Sequence, residues 1–146
     1  MEIKDSGNRR EFTTGAVRDI QEGKGRCDLM PLRVISNHLG SKTLLNIALY
    51  TEHNNTAFLQ IALDLFIKES KFKDGYEMYL EVSKHFEEGA KKYGEYNWQK
   101  GIPVNCYIDS AVRHYLKYKA GWTDEPHDRA FVWNIVCCIW EIEHHG

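Results

Sequence analysis

Two adjacent carboxylates, Glu87 and Glu88, stand near the end of a helical stretch that breaks into a basic, aromatic turn, Lys91-Lys92-Tyr93-Gly94-Glu95-Tyr96-Asn97-Trp98. Carboxylates beside lysines and ring faces suit metal-dependent nucleotide chemistry. The acids offer oxygen ligands, the lysines neutralise phosphates and the rings stack on a base. A solvated helix end stopped by Gly94 would use the same residues. Asp109 and Arg113 are i, i+4 neighbours further on, and as a bare surface ion pair they would contribute roughly 0.3–0.5 kcal/mol. A third acidic group is Asp124-Glu125-Pro126-His127-Asp128. Helix capping accounts for Asp124 and Glu125. It does not account for Asn134, a lone amide inside an apolar helix two turns after His127. Such an amide must find partners or cost roughly 1–3 kcal/mol, so it either lines a polar pocket or is a satisfied core residue.

These groups depend on the helices that carry them. Pro31 opens a short helix ended by Gly40, Ser41 caps a second, and Thr56 caps a third whose apolar residues run from Phe58 to Phe66 at i, i+3, i+4 spacing. A longer helix starts at Asp74 or Gly75 and runs to Lys92 or Tyr93. Gly101-Ile102-Pro103 opens the next, which ends near Ala120-Gly121. Thr123-Asp124-Glu125-Pro126 is a helix-start signature for the last helix, Phe131–Trp140, which is apolar on nearly every side. Such a helix belongs in the middle of a bundle or at an oligomer interface. No alternating strand pattern occurs, and residues 1–30 read as an irregular, polar, Gly-rich arm. The expected fold class is all-α, a single helical-bundle domain over 1–146.

Taking Tyr79, Val82, Phe86 and Ala90 as the core direction of the 74–92 helix puts Glu87 about 80° away, able to look into a groove. The same frame sends Glu88 about 180° away, to water, in an exposed row with His85 and Lys92. Glu87, Asp109 and the 124–128 acids then come from three helices of one bundle, a standard way to hold a divalent ion. Oxygen ligands without paired Cys favour Mg²⁺ or Mn²⁺ over zinc, and such an ion would polarise a phosphoryl group and activate water. Lys24, Arg26, Lys92 and Arg113 would neutralise a polyphosphate. Tyr93, Tyr96 and Trp98 would face a base.

Composition narrows the classes. A net charge of −2 over 146 residues argues against binding polymeric nucleic acid. No apolar run reaches membrane-span length, and Met1-Glu2-Ile3-Lys4-Asp5 is no signal peptide, so a cytoplasmic protein is the expectation. Cys27, Cys106, Cys137 and Cys138 form no CxxC pair and read as reduced, buried thiols.

Longer patterns carry a resemblance. Gly15-Ala16-Val17-Arg18-Asp19, Gly23-Lys24-Gly25-Arg26-x-Asp28-Leu29-x-Pro31 and Glu87-x-Gly89-Ala90-x-Lys92-Tyr93-Gly94-x-x-Asn97-Trp98-x-x-Gly101 form its first part. Asp109-Ser110-Ala111-x-Arg113-His114, Asp124-Glu125-x-His127 and Trp133-Asn134 complete it. Together they resemble the phage-associated dATP/dGTP diphosphohydrolase family, over residues 14–31 and 81–140, with 32–80 as a variable helical insert. That family is similar to the MazG-like all-α nucleotide pyrophosphohydrolases. The resemblance implies hydrolysis of a purine deoxynucleoside triphosphate to monophosphate and pyrophosphate, with Mg²⁺ or Mn²⁺, in a homo-oligomer. It also implies a phage- or prophage-encoded protein acting in a bacterial host. Implied catalytic residues are Glu87, Lys92, Arg113 and His127. The implied substrate contacts are Lys24, Arg26, Asp28, Tyr93, Asn97, Trp98, His114 and Asn134. Metal ligands would be drawn from Glu87, Glu88, Asp109, Asp124, Glu125 and Asp128. The MazG-type pattern, EExxE then ExxD, is matched by Glu87-Glu88 and Glu125-x-x-Asp128, but Lys91 stands at the third acid.

That departure keeps a competitor open, a protein that binds a nucleotide without cleaving it. A helical interaction protein using the apolar last helix is a third reading. His127-Asp128 is also an HD doublet, but no Asp follows it, which discounts an HD-type phosphohydrolase.

Overall fold

A computed structural model describes residues 4–146. A hairpin of β1 (Arg9–Glu11) and β2 (Val17–Asp19) leads through a 3-10 turn at Cys27–Leu29 into six helices. These are α1 (Leu32–Leu39), α2 (Lys42–His53), α3 (Ala57–Glu69), α4 (Gly75–Tyr93), α5 (Val104–Lys119) and α6 (His127–His145). The all-α expectation holds for the body of the chain. The hairpin corrects the reading of residues 1–30 as irregular. Its strands are three residues each, too short to show period-two alternation, and are registered Arg10 against Arg18.

Local chemistry sets most helix ends. The Ser41 hydroxyl accepts from the Leu44 N–H at 3.1 Å, and the Asp74 carboxylate accepts from the Glu77 N–H at 3.0 Å. Gly94, at φ 92°, donates its N–H to Ala90 and stops α4. Two expected caps differ. Thr56 makes no side-chain cap bond, and Asn55 instead accepts from the Ala57 N–H at 2.9 Å. Helix α6 begins at His127, after Pro126, so Asp124 and Glu125 precede it and cap nothing.

Helix α6 lies in the middle of the bundle, with Phe131, Val132, Ile135, Cys137 and Cys138 buried. It packs on α5, α4 and α3. The 32–80 stretch shares this core. Phe66 of α3, fully buried, has its ring centroid 4.3 Å from Phe131 and 6.0 Å from Tyr115. All four cysteines are free thiols, and burial pushes Cys137 and Cys138 upward, the latter to about 12. Among the described residues no helix is long and apolar enough to cross a membrane.

The face of α4 is also corrected. Its buried residues are Met78, Val82 and His85, while Tyr79 is exposed. Centring the wheel on that stripe turns it by about 80–100°, which exchanges the two carboxylates. Glu87 points to water. Glu88 falls on the flank, half-buried, and accepts from Arg129 Nη2 at 2.6 Å.

Candidate functional site

A cavity of about 620 Å³ opens between the hairpin, the C-terminal half of α4, the turn after it, α5 and the start of α6. The hairpin is docked from several sides. Asn97 pairs both backbone groups of Val17, accepting its N–H at 2.9 Å and donating to its carbonyl at 2.8 Å. The Thr14 hydroxyl donates to the Gly101 carbonyl. Gly101 is needed there: its φ is +114°, and a Cβ would meet Thr14 Cγ2 at 2.9 Å. From α5, Asp109 accepts the Cys27 N–H at 2.6 Å and both oxygens take Arg113 Nη2 at 2.7 Å. Arg113 also donates to the carbonyls of Gly25, at 2.7 Å, and Lys24, at 3.3 Å.

Charge is distributed unevenly in the cavity. Lys4, Arg10, Arg18, Lys24, Arg113 and Lys117 line it with Asp5, Asp19, Asp109 and Glu125. Three of those acids are occupied, Asp5 by Arg9, Asp19 by Lys24 and Asp109 by Arg113. Burial alone would raise Asp19, but bonds from Lys24 and Ser6 outweigh it and hold the carboxyl at about 2. Arg18 has no carboxylate partner among the described residues. Its Nη2 donates to Ser110 Oγ at 3.0 Å and Asn134 Oδ1 at 3.2 Å, and its guanidinium lies 5.3 Å over Tyr107. Burial pulls it below arginine's ordinary range. Four lining residues bury a polar atom with no hydrogen-bond partner among the described residues: Arg18 Nη1, Arg10 Nε, His85 Nδ1 and Trp133 Nε1. Phe86, Tyr93, Trp98 and Trp133 supply an aromatic wall, with Trp98 edge-on to Phe86 at 5.7 Å and the Arg18 guanidinium 5.9 Å over Trp133.

One end of the cavity is imidazole-rich. His114 Nδ1 and His127 Nδ1 are 2.9 Å apart, and His127 Nε2 bonds Asp124 Oδ1 at 2.7 Å. Glu125 completes the group: one ligand atom from each of His114, Glu125 and His127 lies within 4.8 Å of the others. Burial, then repulsion by His127 and His85, pulls His114 well below the ordinary histidine range. The His127 bond, helped by Lys4 and opposed by slight desolvation, holds Asp124 at about 2.

Residues 75–146 match the family model described as dATP/dGTP diphosphohydrolase, N-terminal. The match supports the dATP/dGTP diphosphohydrolase family for this segment. The name points to a hydrolase of the diphosphohydrolase type. No curated protein and no solved structure matches the chain.

The diphosphohydrolase segment brings together part of the set expected from sequence. Tyr93, Asn97, Trp98, Asp109, Arg113, His114, Glu125 and Asn134 line the cavity, with Lys24 from the arm. His127 and Asp124 stand behind His114 and Glu125. The remaining expected residues do not line it. Glu87 is exposed, Glu88 pairs with Arg129, and Lys92 is half-buried outside the lining. Arg26 and Asp28 pair with each other through two 2.8 Å bonds. Asp128 is buried and accepts the Arg129 N–H at 2.8 Å. The expected exposed row containing His85 is corrected as well: His85 is buried and lines the cavity. The sequence reasoning gave no role to Arg10, Arg18, His85 or Trp133. The available signal was Arg18 itself, a cation inside an otherwise apolar Gly-Ala-Val-Arg stretch.

Proposed function

We propose that the protein hydrolyses purine deoxynucleoside triphosphates, dGTP or dATP, to the monophosphate and pyrophosphate in this cavity. The observation that carries the reading is that cavity-lining residues bury polar atoms without partners among the described residues, three of them N–H groups, on Arg18, Arg10 and Trp133. Buried donors are almost always satisfied, and a polyanion with a heteroaromatic base supplies the missing acceptors. The volume suits a nucleotide-sized ligand. Arg10, Arg18 and Lys24 would hold the phosphates, and the aromatic wall would hold the base.

In the reaction a water oxygen bonds to the α-phosphorus. The bond from that phosphorus to the oxygen bridging the β-phosphate breaks, and pyrophosphate leaves. With no ion bound, the His114–Glu125–His127 group is the proton acceptor for the water, with Asp124 orienting His127. Arg18, buried and without a carboxylate, stabilises charge building on the phosphates.

The Mg²⁺ or Mn²⁺ implied by the family resemblance calls for converging oxygens. The six acids do not converge: Glu87 is exposed, and Glu88 and Asp109 are held by arginines. An all-oxygen magnesium site does not fit these residues. Pyrophosphate release from dGTP and dATP, measured with Glu125→Gln alongside the native protein, tests the hydrolysis. Release reduced at least about a hundredfold in the variant is expected. No release, or release unchanged by Glu125→Gln, overturns it.

A second reading, nucleotide binding without cleavage, is favoured by Lys91 at the position of the third MazG-type acid. Micromolar binding of dGTP with no pyrophosphate from any native preparation would support it over hydrolysis.

A further inference from the structure

We propose that His114, His127 and Glu125 form a site for one divalent transition-metal ion of the Mn²⁺, Fe²⁺ or Co²⁺ class, with Asp124 orienting His127 from behind.

The geometry supplies the ligands. The three donor atoms lie within 4.8 Å of one another, and the two ring nitrogens are 2.9 Å apart. Two ligands about 2.1 Å from one ion and about 90° apart would be separated by about 3.0 Å. The donors come from α5, from the first residue of α6 and from the turn that precedes it, so the densest helix pair of the bundle fixes their spacing.

The tautomer supplies the lone pair. Asp124 accepts from His127 Nε2 at 2.7 Å, which leaves Nδ1 bare and aimed at His114. A carboxylate behind a metal-ligating histidine is the usual outer partner, and it fixes the ring while raising its basicity. His114 and Glu125 also line the cavity, so an ion held there keeps positions open toward a ligand. An ion so placed lowers the pKa of a water bound to it.

The donor set selects the ion. Imidazole nitrogen suits first-row transition metals, whereas Mg²⁺ and Ca²⁺ prefer oxygen alone. The competing arrangement is a hydrogen bond between the two imidazoles, in which each histidine satisfies the other and no ion binds.

The assignment deepens the hydrolase reading and rests on it only for what the ion would do. The full chain is stripped with chelator, dialysed without nucleotide against Mn²⁺ or Co²⁺, and its metal content measured, with the visible spectrum followed for Co²⁺. About one ion per chain and nitrogen-ligand bands are expected. The His114→Gln/His127→Gln variant should lose both. Asp124→Asn, which alters a partly exposed carboxylate, should bind about 10–100-fold more weakly while keeping its helical circular dichroism. No retained ion, or retention unchanged in the double variant, overturns the site. If the ion binds but no nucleotide is cleaved, the site stands and the hydrolase reading fails. If the double variant releases pyrophosphate at the native rate with Mg²⁺ alone, hydrolysis stands, but the metal site and the imidazoles' part as proton acceptor both fail.

Discussion

Replacing Arg18 by Met separates a ligand-binding role from a structural one, because the two predict opposite balances of affinity and stability. In the folded protein Arg18 makes two neutral-acceptor bonds, to Ser110 and Asn134, and two cation–aromatic contacts, with Tyr107 and Trp133. Losing these costs about 1 kcal/mol per bond and about 0.5–1 kcal/mol per ring contact. Against that stands relief of a desolvated cation with no carboxylate partner and one unsatisfied nitrogen, a penalty of several kcal/mol. The terms nearly cancel, so thermal stability should move by no more than about 2 kcal/mol, or about 4–8 °C. Affinity for dGTP should fall much further. One or two charge-assisted bonds to phosphate are lost, at about 1.5–3 kcal/mol each, which is about 10- to 10,000-fold in Kd. Calorimetric titration and thermal melts on the same preparations give both numbers. A Tm drop beyond about 10 °C with unchanged dGTP affinity would refute the reasoning and make Arg18 a structural residue.

Three further outcomes follow from the same contacts. Gly101→Ala forces a side chain into a φ of +114° against Thr14, so it should cost about 1–3 kcal/mol and weaken nucleotide binding by loosening the hairpin, measurable by melts and titration. Phe66→Ala removes a fully buried ring packed on Phe131 and should cost about 3–5 kcal/mol, lowering Tm by about 10 °C in circular dichroism. His85 is held down to about 3 by burial first, then by Arg129, Arg18 and Lys92, so between pH 6.5 and 3 the unfolded chain binds a proton that the fold refuses. Stability therefore falls as pH drops through that window, and His85→Gln should lose less Tm than the native protein across it; parallel curves would discard the idea.

The helical frame was legible because its signals are local. Ser41, Asp74 and Gly94 act within one turn of where they stand in the sequence. The face of α4 was not, because Tyr79 and Phe86 looked like core anchors while His85 looked polar. The packed stripe is Met78, Val82 and His85, and Tyr79 is 41% exposed. The cavity was partly legible through the resemblance, which picked out His114 and Asn134. Arg10 and Arg18 were not, because their position depends on contacts between residues 80 to 116 apart, such as Asn97 with Val17 and Arg18 with Asn134. No short-range pattern encodes such pairings.

Pairing decides which charged groups remain for chemistry. A carboxylate held by a buried arginine takes a metal only by giving up that partner, and breaking a buried pair costs about 3–5 kcal/mol. Asp109 is 4% exposed at the side chain and Arg113 11%, with both acid oxygens engaged, so that penalty applies to it in full measure. Glu88 with Arg129 is similarly committed. Among the described residues Glu125 has no arginine partner, and it accepts the Lys4 N–H at 3.4 Å. Among the described residues Arg10 and Arg18 are likewise without carboxylates, and both come from the hairpin, outside the family-matched segment. The segment 75–146 thus contributes the imidazoles, the available acid, the aromatic wall and Lys117, while the arm contributes most of the cations that an anionic substrate would meet. Each half is incomplete for phosphate chemistry, which gives a physical reason for the cross-links that Asn97, Gly101, Asp109 and Arg113 make to the arm.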